Sequence, residues 1–185
     1  MALFLNPVPV SELAPNEPPI EWIWPGVLAK GFVTLLVGEW KAGKTTLLAN
    51  LLARFGSGGM LAGKPVRPST AAIITEESQS IWKERHARMN FYPRLMIISR
   101  PFFGRPSFED WAELINGIAL AESRPDLIVF DPISMFLPEN TENHPASMLQ
   151  ALYAIHGIAH RGSAVLLIHH PGKRADKNHH GRGTG

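Results

Sequence analysis

The chain has 185 residues, is 45% hydrophobic and 18% charged, carries a net charge of +2 and contains no cysteine. That length and composition describe one soluble globular domain with its own core, and the missing thiols exclude a disulfide framework or a thiolate metal site. The start "MALFLNPVPVSELAP" lacks a basic leader, and no apolar run approaches the roughly 20 residues of a membrane span, so neither a signal peptide nor a membrane partner is expected and the location is read as cytoplasmic.

Residues 1–20, with Pro7, Pro9, Pro15, Pro18 and Pro19 and little periodicity, read as an extended proline-rich arm. A segment "IEWIWPGVLAKG" follows and ends in a turn. "FVTLLV" (32–37) is continuous, rich in β-branched residues and followed by glycine, which predicts a fully buried strand. After the loop "GEWKAGKTT", the helical spacing of Leu47, Leu48, Leu51, Leu52 and Phe55 points one face at a core. "GSGGMLAGKPVRPS" (56–69) reads as a glycine- and proline-rich connection. "TAAIIT" (70–75) is a second strand, residues 78–90 a helix, and "RLMIIS" (94–99) a third strand.

Beyond the loop "RPFFGRP", Ser107 can cap a helix with Asp110 at its third position. Phe108, Trp111, Ile115 and Ile118 form that helix's apolar stripe. "DLIVFD" (126–131) is another buried strand, and "LPENTENHP" (137–145) is a polar loop. Pro145 can open a helix in which Met148, Leu152, Ile155 and Ala159 share a face. "SAVLLIHH" (163–170) is the last strand, and its 163–168 stretch is expected between the 32–37 and 126–130 strands, an order that brings Lys44, Asp131 and His170 to one edge. Strands that alternate with helices predict an α/β domain with a mainly parallel sheet, with 21–170 as the core. Residues 171–185 have no core-forming pattern and are expected to be a flexible basic tail.

Residues 38–45 fit G-x-x-x-x-G-K-[ST] between a strand and a helix, the Walker A pattern. The glycines let backbone N–H groups surround phosphate oxygens, and the helix N-terminus adds its positive dipole end. The expected nucleotide-binding stretch is Gly38, Glu39, Trp40, Lys41, Ala42, Gly43, Lys44, Thr45 and Thr46. Lys44 would reach the β- and γ-phosphates and Thr45 would bind Mg²⁺. Trp40 and Lys41 are not required by the pattern, and Lys41 reads as solvated.

Mg²⁺ also takes a carboxylate, direct or through water. Asp131 ends a strand where open α/β sheets bind ligands, and so reads as the Walker B aspartate. Pro132 and Ile133 follow it, so the acid that activates water must come from another strand edge. "IITEES" supplies Glu76, the first residue beyond its strand. Glu77 would point away, because side chains alternate in an extended chain. His169 and His170 end the last strand, where an imidazole can donate to the γ-phosphate and report its presence. A zinc pair is the alternative, disfavoured by diverging rings and no third ligand in the motif. Lys173, Arg174, Lys177 and Arg182 crowd the tail beside His179 and His180 and could contact nucleic-acid phosphates.

With "GEWKAGKT", "IITEES", "LIVFDP" and "LLIHHPGK" in that order, residues 20 to 185 resemble the RecA-like ATPases. Within them the chain is similar to the RepA-type hexameric helicase branch, the AAA-domain ATPases of plasmids and phages. The resemblance implies a three-layer P-loop fold and ATP hydrolysis coupled to single-stranded DNA. It also implies a homo-oligomeric ring whose active sites are shared between subunits. Carried over, Lys44 and Thr45 bind phosphate and Mg²⁺, Asp131 supports Mg²⁺, Glu76 activates water and His170 is the phosphate sensor. Family members continue with strands that bear an arginine finger, whereas this sequence stops at Gly185, so the expectation is either a truncated fragment or a chain lacking those strands. Two other functions fit a phosphate loop. One is a nucleotide-dependent regulatory or assembly switch without unwinding. The other is a small-molecule kinase, disfavoured because no arginine-rich lid lies between the last two strands.

Overall fold

The computed structural model describes residues 7–13, 18–121, 123–139, 141 and 144–171. After a short 3-10 turn at Val10–Glu12, Trp22–Trp24 (β1) and Leu28–Ala29 (β2) pair as an antiparallel hairpin. Val33–Val37 (β3) leads through the glycine loop into Lys44–Leu52 (α1). A second hairpin, Gly59–Leu61 (β4) and Lys64–Val66 (β5), precedes Ala71–Thr75 (β6) and Gln79–Met89 (α2). Leu95–Ser99 (β7), Phe108–Leu120 (α3) and Leu127–Asp131 (β8) follow. Pro145–His160 (α4) and Ala164–His169 (β9) complete the described elements.

The central sheet is parallel throughout, in the order β3–β9–β8–β6–β7. β9 therefore lies between β3 and β8, the order expected if the phosphate loop, Asp131 and His170 are to share one edge. Register sharpens that convergence. Val37 pairs with His169, and Thr75 pairs with Asp131, so the chain leaves all four strands at one level.

Alternation along the strands divides the core into two layers. Ile73, Leu127, Val129, Leu166 and Ile168 pack with Leu48, Leu51 and Leu52 of α1 and Trp82 of α2. Ile74, Ile128, Phe130, Val165 and Leu167 pack with Trp111, Ile115 and Ile118 of α3 and Ala151, Ile155 and Ile158 of α4. Each fully buried aliphatic side chain of this kind stabilises the fold by about 1.5–3 kcal/mol. Trp111 and Phe130 meet at 5.7 Å between ring centroids in a tilted pair, a geometry that adds about 0.5–1.5 kcal/mol. The result is the expected three-layer RecA-like P-loop architecture.

Local signals hold at both predicted caps. Ser107 Oγ accepts from the Asp110 N–H at 3.1 Å, and the Asp110 carboxylate accepts from the Ser107 N–H at 2.9 Å, a reciprocal capping box. Pro145 opens α4, where its missing N–H is no loss.

Three expectations need correction. β3 is not buried: it is one of the two edge strands of the sheet among the described residues, and Leu35 and Val37 are 57% and 52% exposed. A continuous apolar run does not distinguish an edge from a centre. Residues 56–69 are not a plain connection but contain the β4–β5 hairpin. The segment after the arm likewise forms the β1–β2 hairpin rather than only a turn, and Trp24 Nε1 donates to the Leu61 carbonyl at 3.2 Å to join the two hairpins. In the proposed arm, residues 7–13 and 18–20 are exposed, and 1–6 and 14–17 lie outside the described residues.

Candidate nucleotide site at the sheet edge

The loop from Gly38 to Thr46 is shaped by its backbone. The Gly38 N–H donates to the His169 carbonyl at 3.4 Å, which ties the loop's root to β9. Gly43 caps α1 at φ +85°, a left-handed conformation that costs glycine nothing and a β-carbon much. Lys41 also has positive φ, at 63°. Its ammonium lies 6.0 Å from the ring centroid of the exposed Trp40, in keeping with a solvated role. Ala42 N–H closes the turn on the Glu39 carbonyl at 3.2 Å.

Lys44 is only 6% exposed. Its ammonium donates to the carbonyls of Gly38 at 2.5 Å and Glu39 at 2.7 Å. A buried ammonium needs such acceptors, and phosphate oxygens in the same loop would be stronger ones. Lys41, Ala42, Gly43, Lys44, Thr45 and Thr46 line a cavity of about 180 Å³, and His170 closes it from the end of β9. His170 Nδ1 is buried there without a hydrogen-bond partner. Burial, the Lys44 ammonium and His169 hold its pKa below the usual imidazole value, so the ring is neutral and keeps one N–H donor at neutral pH. His169, by contrast, is the last residue of β9 and pairs with Val37.

The Thr45 hydroxyl donates to Asp131 Oδ2 at 3.4 Å. Asp131 is 4% exposed. Burial first, then the charges of Glu77 and Glu76, push its pKa up to about 6, against the opposing Thr45 hydrogen bond and Arg85 charge. A hydroxyl at a helix N-terminus beside a buried carboxylate is a donor set that fits Mg²⁺, which binds through one or two carboxylates plus substrate phosphates. A divalent ion there would also relieve the carboxylate's burial. Among the described residues, no group of three or more His, Cys, Asp and Glu side chains is arranged to hold a metal without such phosphates.

Glu76 leaves β6 at the same edge, and its N–H donates to the Asp131 carbonyl at 3.3 Å. Burial and the neighbouring Glu77 charge raise its pKa, while Arg100 opposes them. That direction favours a group that must accept a proton. The expectation that Glu77 turns away does not hold. Its carboxylate is bound by Arg85, and its charge acts on Asp131 more strongly than that of Glu76. Alternation ends with the strand at Thr75, so it no longer governs the two residues beyond.

Sequence reasoning missed the residues that clamp this dipeptide. The Arg100 N–H and Nε donate to the carbonyls of Thr75 and Glu76, both at 2.8 Å. Ser99 Oγ donates to the Glu77 carbonyl at 2.5 Å. No local spacing signals these contacts, because they cross from β7. Lys173, Arg174, Lys177 and Arg182 lie outside the described residues. A larger cavity of about 680 Å³ lies between β7 and α3 and shares no lining residue with the phosphate loop. No helix among the described residues is long and apolar enough to cross a membrane.

A family model described as an AAA domain matches residues 2–176. An ABC transporter G family member, STR2, of Medicago truncatula is 29% identical over 184 aligned residues. That alignment covers 80% of this chain and 25% of the transporter, so the chain spans about a quarter of that relative's length.

Proposed function

Since the chain belongs to the AAA domain family and is a P-loop ATPase-type domain, we propose that it binds Mg²⁺–ATP at the 38–46 loop, hydrolyses it with Glu76, and couples turnover to single-stranded DNA as a replicative helicase or related DNA-dependent ATPase. The observation that carries the reading is the meeting of Thr45 and Asp131 beside the Lys44–His170 cavity. Mg²⁺, held by Thr45 and Asp131, would supply charge stabilisation at the phosphates.

The remaining chemistry falls to this chain's own groups. The Lys44 ammonium exchanges the Gly38 and Glu39 carbonyls for β- and γ-phosphate oxygens. Loop N–H groups and the α1 N-terminus bind the same oxygens. Glu76 accepts the proton of the attacking water as the bond to ADP breaks. His170 donates its N–H to the γ-phosphate and so registers whether that group is present. The DNA step and a ring of identical subunits rest on the resemblance to RepA-type helicases. They are supported by the basic residues that follow His170 directly in sequence.

The deciding experiment is steady-state ATP hydrolysis with and without a single-stranded oligonucleotide. Stimulation by the oligonucleotide is expected. Turnover that is indifferent to DNA would leave an ATPase and remove the DNA-coupled reading.

A further inference from the structure

We propose that Arg85 is a positioning residue: its guanidinium engages both oxygens of Glu77, withholds that carboxylate from the Asp131 site, and leaves Glu76 as the free acid at the end of β6. This rests on the reading of the site given above.

The contact is a two-pronged one. Arg85 Nη2 donates to Glu77 Oε1 at 2.7 Å, and Nη1 donates to Glu77 Oε2. Such fork-to-fork pairs fix geometry as well as charge. The pair is largely sheltered, with each side chain 25% exposed. Arg85 is also held from behind. Its guanidinium carbon lies 4.9 Å from the centroid of the Trp82 ring. Trp82 is buried in the core against α1, and the two residues share a face of α2 at i, i+3 spacing. The cation therefore sits on a fixed aromatic platform.

The backbone of the acidic pair is equally determined. The Glu77 N–H donates to Thr75 Oγ1 at 3.1 Å. With the Arg100, Ser99 and Asp131 contacts described above, the N–H and C=O groups of Glu76 and Glu77 are all engaged. With main chain and one side chain fixed, the Glu76 carboxylate is the one left without a hydrogen-bonding partner among the described contacts. The arrangement also answers a chemical problem. Glu76, Glu77 and Asp131 are three carboxylates at the ends of paired strands. An unpaired Glu77 beside Asp131 would compete for the divalent ion and for the water. A pair that only fastened α2 to β6 would be insensitive to whether Glu77 is free.

The test uses the full chain with R85Q, R85K, E77Q and the R85Q/E77Q double variant. Mn²⁺ affinity is titrated without nucleotide and with a non-hydrolysable ATP analogue, and kcat and KM for ATP are measured. Freeing Glu77 in R85Q should tighten Mn²⁺ binding about threefold or more and lower kcat about tenfold or more, with KM within about twofold, the scale for residues that orient metal-site groups. The double variant should return both quantities to the E77Q values. R85K keeps charge but not the fork, so it should fall between R85Q and wild type. Unchanged Mn²⁺ affinity in R85Q, or a double variant as impaired as R85Q, would overturn the proposal. Should R85Q fail to fold, R85K decides alone: wild-type kcat and Mn²⁺ affinity in it overturn the proposal. If wild type itself hydrolyses no ATP, the proposed function fails. The nucleotide-free Mn²⁺ titration still decides the role of Arg85.

Discussion

The Thr45 hydroxyl reaches Asp131 Oδ2 across 3.4 Å, joining the first turn of α1 to the end of β8. The contact only partly offsets the burial of Asp131, which makes that carboxylate a stability liability as well as a ligand. Its pKa is raised from 3.8 to about 6, so the folded chain holds the proton more tightly than the unfolded chain. Stability is then greatest below the unfolded value and declines as pH rises through about 6, by on the order of 2–3 kcal/mol in total. Asp131→Asn should therefore be more stable than wild type at pH 7.5 without nucleotide, and equal to it near pH 4. Denaturant titrations at the two pH values measure this. A variant less stable than wild type at pH 7.5 would contradict it.

Lys44→Ala should leave the fold intact and weaken ATP binding by about 10–100-fold or more, since hydrogen bonds to charged groups contribute about 1.5–3 kcal/mol each. The ammonium donates to the Gly38 and Glu39 carbonyls of the loop, and Lys44 belongs to neither apolar core layer, so truncation leaves both layers in place. Circular dichroism paired with ATP titration checks both halves. Unaltered affinity and turnover would remove the loop from the site.

Glu76→Gln should still bind ATP and Mg²⁺ but hydrolyse at least ~100-fold more slowly, the usual scale for losing a general base. Glu77→Gln should be much milder, because Arg85 already occupies that carboxylate. Single-turnover rates separate the two. A large deficit in Glu77→Gln with none in Glu76→Gln would move the catalytic role by one residue.

The glycine loop, the Asp131 strand edge and the strand order were legible because each rests on a short local pattern or on the chemistry that must converge. The β4–β5 hairpin was hidden by its turn. Ala62 and Gly63 both have positive φ, 48° and 74°, as a two-residue hairpin turn demands, but alanine stands where asparagine or aspartate would announce it. Three-residue strands carrying Gly59 and Pro65 gave no alternation to read. β3 looked central because Val33 to Val37 are apolar or β-branched throughout, and only the pairing partners of a strand decide its exposure. Arg85 was illegible for a different reason. Its partner lies beyond the start of α2, and the contacts that hold Glu77 to Thr75 and Ser99, with the Trp82 platform, bring them together.

The basic tail offers a test independent of the described residues. If Lys173, Arg174, Lys177 and Arg182 bind phosphates, affinity for single-stranded DNA should fall steeply with salt. Replacing all four by alanine should flatten the log–log slope by about 0.7 for each phosphate no longer neutralised. Fluorescence anisotropy across a salt series reads the slope. An unchanged slope and affinity would remove the tail from DNA binding.

The central claim, that residues 38–46 and Asp131 together hold Mg²⁺–ATP, is tested most directly by equilibrium titration of a fluorescent ATP analogue with and without Mg²⁺. Saturable binding in wild type is expected, with affinity that rises when Mg²⁺ is added, falls by about 10–100-fold or more in Lys44→Ala, and no longer responds to Mg²⁺ in Asp131→Asn. Wild-type binding that is absent, or that survives Lys44→Ala at full affinity, would contradict it.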